Sequence, residues 1–413
     1  MAEKVLLVAY GGGHITMVMP VMRELQARGV QCTLLALTTG YAKAQRAGLN
    51  PVGYRDLVHL VDSPEEVMAW GERLAPENSH PEVDHQESIL YLGVGYMQWV
   101  RDHGAVEAER LYRDVGRRGF LPLSFMSKVI QHFAPDAVVT TNSPRTEQAS
   151  IEAAVALGIP VLAMIDLFGL AYDPFVSRTI HADRTAVISE AAKRNVVAAG
   201  FDPARVVVTG NPAFDSLVSP ESRAKALKFV QELGWAGKKI VLLAGQLEEL
   251  PGTPEAWQGP GLVMEAETLL RQWVSERDDR ALIVRYHPNE FQSFPVRGEQ
   301  PRVYWSHPVN DPLHPALLAA QVVIVQTSTV GLEAVISGAR LLSLSYSPAV
   351  TPERWDYGAL GLGVPVEAPG KLVPLLEDAL RAPPRSTDDY CVGRAAANVA
   401  RETISLFRPG YSE

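Results

Sequence analysis

The chain has 413 residues, 47% of them apolar and 21% charged, which is more than one ordinary hydrophobic core holds and predicts two domains. Its 38 basic and 47 acidic residues leave a formal net charge of −9, which argues against duplex nucleic acid as the main partner, because backbone binding needs a concentrated basic surface. The two cysteines, Cys32 and Cys391, provide neither a disulfide framework nor a thiolate metal site. A reducing cytoplasm is the expected compartment.

In chain order, VLLVAY (5–10) reads as a buried strand, MVMPVMRELQARG (17–29) as an amphipathic helix stopped by Gly29, and VQCTLLAL (30–37) as a second buried strand. Such near-continuous apolar strands joined by helices imply a parallel sheet covered on both faces. Residues from about 60 to 125 diverge into a mostly helical insertion. Its apolar stretches, SILYLGVGYMQWV (88–100) and FLPLSF (120–125), are too short to span a membrane. Buried helix packing is their expected role, with peripheral membrane contact as the alternative.

The alternation resumes with a helix at 124–133, strand 136–141, helix 145–157, strand 160–166, strand 185–189, helix 190–199 and strand 206–210. After NPAFDSLVSP (211–220) and a helix at 221–233 it restarts with strand 239–244. From there run a helix at 262–276, strands at 281–287 and 303–305, a helix at 313–320, strand 322–326, a helix at 330–337 and strand 340–346. A last helix, about 387–407, lacks the material for a separate domain and is expected to pack across the first one. Asp215 reads as a hinge residue.

Two segments of the second half carry anion-binding chemistry. QTSTVGLEA (326–334) follows an apolar strand and opens a helix. There Thr327, Ser328 and Thr329 join hydroxyls to free helix-start N–H groups, a plausible diphosphate cradle, with a plain N-cap as the alternative. Gly331 would admit a ligand close to the backbone, and Glu333, one turn on, would accept hydrogen bonds from a ribose diol. IVRYHPNE (283–290) delivers Arg285 and His287 to the carboxyl end of a strand, where they could neutralise phosphate or a leaving group. No H-x-x-x-H, C-x-x-C or D-x-D triplet ends a strand, so no metal and no cofactor is expected.

These segments, together with GGGH (11–14), VVVTGNPAFD (206–215) and TPERWDYGALGLG (351–363), resemble the GT-B fold glycosyltransferases and their relatives the UDP-N-acetylglucosamine 2-epimerases. The resemblance is spread over most of the chain. It implies an α/β, GT-B architecture of two doubly wound Rossmann-like domains facing each other across a cleft. Residues 1–215 would form the acceptor side with its insertion, 216–385 the nucleotide-sugar donor side, and 386–413 a helix returning to the first domain. It further implies that Glu333 holds the ribose and that His287 and the TST turn meet the phosphates.

The epimerase pattern has a G-T-R-P-E-like first loop, an H-R-R-E-N-like segment and a D-S-G-G-x-x-E-E nucleotide motif; this chain has GGGH, GQLEE (245–249) and TSTVGLEA there. GGGH is similar instead to the glycine loop of lipid-linked UDP-N-acetylglucosamine transferases and of nucleotide-sugar hydrolases. The expectation is therefore a metal-independent, inverting glycosyltransferase that moves a sugar from a nucleotide-sugar to a glycan or lipid-linked acceptor. UDP is the favoured nucleotide and a CMP-linked acidic sugar the other. His14, whose place at a helix start disfavours its protonated form, or Asp166 at the end of VLAMID would be the base; the alternatives are a histidine that only lines the cleft and a carboxylate that only caps a loop.

Gly12, Gly13, Asn142, Gln246, Glu248 and Glu249 are candidate sugar or acceptor contacts, and Ser143 and Arg145 lie beside Asn142. A UDP-N-acetylglucosamine 2-epimerase or nucleotide-sugar hydrolase is the alternative reading, and a non-catalytic nucleotide-sugar-binding protein the second. A homodimer and peripheral contact with the inner membrane face are both allowed by the sequence.

Overall fold

The computed structural model describes residues 3–78, 80–173, 176–178, 180–248, 261–295, 297–351, 355–408 and 410–411. In chain order its main elements are β1 (Lys4–Ala9), α1 (His14–Ala27), β2 (Gln31–Ala36), α2 (Thr39–Arg46), α3 (Pro64–Leu74), α4 (His85–His103), α5 (Ala105–Val115), α6 (Leu123–Phe133), β3 (Ala137–Thr141), α7 (Thr146–Leu157), β4 (Val161–Met164), β5 (Arg184–Val187), α8 (Glu190–Ala198) and β6 (Val206–Val208). They continue with α9 (Pro220–Glu232), β7 (Lys239–Gly245), α10 (Gly261–Ser275), β8 (Arg280–Tyr286), β9 (Val303–Trp305), α11 (Leu313–Ala319), β10 (Val322–Val325), α12 (Val330–Ser337), β11 (Arg340–Ser343), β12 (Val364–Pro365), α13 (Leu372–Arg381) and α14 (Ala395–Phe407).

The chain divides into unit 1, Met1–Asp215 with Asp389–Glu413, and unit 2, Ser216–Asp388. Each holds one six-stranded parallel sheet, in the order β2-β1-β3-β4-β5-β6 in unit 1 and β12-β11-β10-β7-β8-β9 in unit 2. These are the doubly wound sheets expected from the sequence. β1 is an interior strand, apolar on both faces: Leu6, Leu7 and Val8 are wholly buried, and at about 25 cal/mol per Å² such burial is the main force holding the sheet to its helices. In each sheet the chain leaves a first strand on one side and later returns to its other side. The resulting gaps, between β1 and β3 in unit 1 and between β7 and β10 in unit 2, are where the loops diverge and ligands bind in folds of this kind.

The insertion of unit 1 is helical, as expected. Its longest helix, α4, contains the apolar stretch 88–100, and Ile89, Leu90, Tyr91, Leu92, Val94, Tyr96 and Trp99 are all buried there. Among the described residues no helix is long and apolar enough to cross a membrane. The insertion is tied down by a buried carboxylate: Glu87 accepts the backbone N–H groups of Tyr54 and Arg55 at 2.8 and 3.0 Å. Tyr54 Oη in turn pairs with Thr146 Oγ1 at 3.0 Å, at the start of α7.

The last helix is shorter than the sequence pattern suggests, because Gly393, with φ of 77°, precedes it. It packs on α1 through Val399, Ala400 and Ile404. Asp215 fixes its start by accepting the N–H groups of Ala395 and Ala396 at 3.0 and 2.8 Å, satisfying two orphan donors of the first turn. Asp215 is thus a remote cap for α14. Glu249, the proline- and glycine-rich loop at 251–260, and residues 352–354 of the TPERWDYGALGLG motif lie outside the described residues.

Candidate functional site

In unit 1 the switch point collects a set of titratable groups. His14 is the first residue of α1, and its Nδ1 lies 2.8 Å from Thr141 Oγ1 at the end of β3. Thr141 Oγ1 also reaches Glu147 Oε1 at 3.4 Å. Glu147, in the first turn of α7, is fully buried and accepts the Tyr10 backbone N–H at 2.6 Å. Its other oxygen has no hydrogen-bond partner. Burial pushes this carboxyl up to about 8, against the pull of the Tyr10 N–H, of its own backbone N–H and of the Arg145 charge, so it is largely protonated at neutral pH.

Asp166 stands just past β4 and faces His14 electrostatically. Burial pushes its carboxyl above the usual carboxylate range while His14 pulls it back. Burial pushes the His14 imidazole below its ordinary value, and Arg145 adds to that, while Asp166 opposes both. The two proton affinities are therefore drawn toward each other, so that a proton moves between these groups at less cost than between a free carboxylate and a free imidazole. The Asp166 backbone carbonyl is fixed by Asn211 Nδ2 at 2.8 Å.

Two non-glycine residues around this cluster hold positive φ: Thr38 at 49° and Arg145 at 73°. Such conformations cost on the order of 1–3 kcal/mol and persist only where surrounding contacts enforce them. Both contacts converge on Tyr10. Thr38 Oγ1 donates to the Tyr10 carbonyl at 2.6 Å, and the Arg145 guanidinium stacks 3.9 Å over the Tyr10 ring.

The strain thus clamps the strand end from which the glycine loop departs. Within that loop a Cβ on Gly13 would meet nothing within 4 Å, and on Gly11 or Gly12 only threonine hydroxyls at 3.6 Å or beyond. None of the three has positive φ. Packing in unit 1 therefore does not demand glycine here, and the bare backbone leaves open space above His14.

Of the sequence candidates on this unit, the structure groups His14 and Asp166 with Gly12 and Gly13 on the adjoining loop. Asn142 follows Thr141, but its side chain is buried with neither amide atom hydrogen-bonded. Glu147, Thr141 and Tyr10 were missed. The available signal for Glu147 was a carboxylate in the first turn of a helix, TEQASIEAAVAL, that directly follows a buried strand end, a residue type that stays buried only when its surroundings hold it.

In unit 2 the switch point is neutral and tightly hydrogen-bonded. Gln246, just after β7, donates its backbone N–H to Gln326 Oε1 at 3.0 Å and its side-chain amide to Thr327 Oγ1 at 2.6 Å. Glu248 is buried behind them, accepting from Gln326 Nε2, Ser347 Oγ and the Leu262 backbone N–H at 3.0–3.1 Å. Burial pushes its carboxyl up and these donors pull it down. Glu248 braces the loop from within rather than presenting itself to a sugar.

Ser328 accepts the Val330 N–H at 3.3 Å, and Thr329 opens α12 with an exposed side chain. The place of Gly331 has a different reason from the one expected: a Cβ there would lie 2.7 Å from the Tyr357 ring, whose hydroxyl donates to the Ser328 carbonyl. Glycine lets this ring brace the TST turn. Glu333 is mostly buried, with His314 Nε2 at 3.5 Å.

Arg285 is not free for phosphate. Its guanidinium donates to Ser306 Oγ and to the carbonyls of Pro308 and Asp311 at 2.7–3.1 Å, holding the loop after β9. His287 remains partly exposed, 3.6 Å from Glu290. Among the described residues, no three His, Cys, Asp or Glu side chains gather closely enough to hold a metal ion.

No protein-family model and no curated protein sequence matches the chain. Solved structures do. A putative UDP-N-acetylglucosamine 2-epimerase from Listeria monocytogenes superposes with a TM-score of 0.61 at 16% identity, covering 98% of this chain and 97% of that one. The UDP-GlcNAc 2-epimerase from Neisseria meningitidis bound to UDP-GlcNAc gives 0.58 at 15% identity over 97% and 99%. That from Methanocaldococcus jannaschii gives 0.55 at 15% over the same shares.

The chain has the GT-B fold of these proteins. The fold neighbours are epimerases, which overturns the expectation of a glycosyltransferase and backs the alternative. The residues behind that expectation, GGGH and the HP and TST elements, stand in this chain at strand ends and helix starts, positions set by the fold rather than by one reaction.

Proposed function

We propose that the protein is a UDP-sugar 2-epimerase. The observation that carries this reading is the half-buried His14–Asp166 pair, whose charges act on each other at the switch point of unit 1 where Thr141 holds the imidazole, on a fold that matches UDP-N-acetylglucosamine 2-epimerases over nearly the whole of both chains. Inverting C2 of such a sugar requires removing one proton and returning one to the opposite face. No carbonyl adjoins C2, so the C2–H bond breaks as the C1–O bond to the diphosphate breaks, leaving a C1=C2 double bond and free UDP. Return of a proton to C2 and of the diphosphate to C1 completes the inversion.

Such chemistry needs one group that takes a proton and one that gives it. His14 and Asp166 fill that role, Thr141 orients the imidazole, and neutral Glu147 supports the loop without adding charge. Nucleotide recognition falls to Gln246, Thr327, Ser328 and the start of α12 in unit 2, with His287 and Glu333 as further phosphate and ribose contacts.

The test is incubation of the full chain with UDP-N-acetylglucosamine in deuterated water, followed by NMR. The expected result is deuterium at C2 and accumulation of the C2 epimer. Unchanged C2–H with unchanged substrate would sink the reading.

A further inference from the structure

Unit 1 contains a cavity of about 1040 Å³ whose walls are unusually basic: Arg113, Arg117, Arg118, Arg145 and Arg178 line it against a single acid, Asp114. That acid is already committed, since it pairs with Arg110 at 2.8 Å. Among the described residues none of the five arginines makes an ion pair, and the buried Nε atoms of Arg145 and Arg178 have no hydrogen-bond partner. Guanidinium groups stay charged at any physiological pH and match oxyanions with paired donors. Five of them around one cavity repel each other until an anion enters.

The cavity adjoins the acid–base cluster through one residue. Arg145 lines it and also stacks on Tyr10, and its charge is felt at His14. Three of the five arginines come from α5 and the turn after it, in the helical insertion. The insertion thus supplies a positive wall beside the groups that would move the C2 proton.

We propose that this cavity is a specificity pocket for an oxyanion carried by the reacting sugar, so that the preferred substrate is a UDP-sugar bearing a carboxylate rather than a neutral one. This deepens the 2-epimerase reading and rests on it. Unit 2 has its own helix-start turn at Thr327 to Thr329 for a diphosphate, so the arginines of unit 1 are not needed for that group. A free inorganic phosphate would offer the same chemistry, and the experiment separates the two sources.

Binding of UDP-N-acetylglucosamine and of its 6-carboxylate, UDP-N-acetylglucosaminuronate, is measured by calorimetry on the full chain and on the triple variant R113Q/R117Q/R118Q, whose melting temperature checks folding. The carboxylate form is expected to bind at least tenfold tighter to the parent. In the variant that preference falls within twofold while affinity for the neutral sugar stays within twofold of the parent. Equal affinities in the parent, or a preference that survives the triple change, overturn the proposal. Stabilisation by millimolar inorganic phosphate that the variant loses, without any preference between the sugars, also overturns it and assigns the pocket to a free ion.

C2 exchange is followed in parallel. Exchange with no preference removes the pocket alone, whereas preference with no exchange removes the epimerase reading and leaves the pocket. If neither nucleotide binds, both fall.

Discussion

At the switch point of unit 1 an imidazole and the buried Glu147 carboxyl meet at a threonine hydroxyl, the half-buried Asp166 acts on the imidazole by charge, and two residues with positive φ clamp the neighbouring tyrosine. At the corresponding place in unit 2 a glutamine pair and a threonine hydroxyl close on one another, and the nearby carboxylate is consumed by three internal donors. Both sites occupy the same topological position of a doubly wound sheet. The difference lies in what their side chains can do: the groups of unit 1 can take up and release protons, while the glutamine and threonine groups of unit 2 offer fixed dipoles. On the proposed reading, proton transfer belongs to the first and recognition to the second.

The most severe break of that contrast is His14→Ala. General acid–base catalysis is worth about 10²–10⁴-fold, so C2 exchange should slow by roughly 10³ while UDP affinity changes little. Asp166→Asn should slow exchange to a similar extent, because it removes one of the two proton carriers and the charge that supports the imidazolium. Paired turnover and calorimetric measurements decide the matter. An unchanged exchange rate in both variants would remove the acid–base assignment from this site.

Glu147→Gln sharpens the comparison through stability rather than turnover. A carboxyl held near 8 in the folded chain and near its ordinary value of about 4.3 when unfolded binds more protons in the native state between those values. Stability from this group is therefore present at low pH and lost as pH rises toward and through about 8. Urea unfolding at pH 5 and pH 8 should show the parent losing more stability over that interval than the glutamine variant. The difference should reach roughly 1–3 kcal/mol, discounted from the full linkage of about 1.4 kcal/mol per pH unit. Parallel pH profiles in the two proteins would show that Glu147 is ionised in the fold.

Much of this architecture was legible in the chain because its strands are buried on both faces. VLLVAY, AVVTT and VVIV announce themselves by uninterrupted apolar runs, and the intervening helices by their glycine stops. His14, Asp166, Gln246 and Thr327 stood out as candidates because they follow the ends of such runs. Glu147 escaped because burial of a carboxylate is a property of the neighbours, contributed here by Tyr10 and Thr141 from distant strands. Arg285 misled for the converse reason: its position at a strand end suggested phosphate, whereas carbonyls of a loop some twenty residues later take up its donors. The arginine cavity was likewise hidden, since Arg113, Arg117 and Arg118 belong to an insertion without periodic signals and meet Arg145 and Arg178 only in space.

On the recognition side, Thr327→Val removes the hydroxyl that accepts from Gln246 and keeps the shape of the side chain. The glutamine amide loses its partner, and the turn opening α12 loses one polar contact for a diphosphate. A net hydrogen bond is worth about 0.5–1.5 kcal/mol, so UDP should bind roughly two- to tenfold more weakly. The C2 exchange rate at saturating substrate should stay within about threefold of the parent. A drop in that rate matching the His14 variant would mean that the two units do not divide the work as their side chains suggest.

The mildest change tests the glycine loop itself. Gly13 has ordinary negative φ and open space where a Cβ would project, so Gly13→Ala should alter unfolding free energy by no more than about 0.5 kcal/mol, as for an unconstrained surface position. If the open space above His14 is where the sugar lies, the added methyl still obstructs it, and the KM for the sugar nucleotide should rise several-fold with the fold intact. Equal KM values would place the substrate away from the loop, and the three consecutive glycines would then need an explanation outside binding. A large loss of stability would instead show that the loop is held by packing, contrary to the clearances around it.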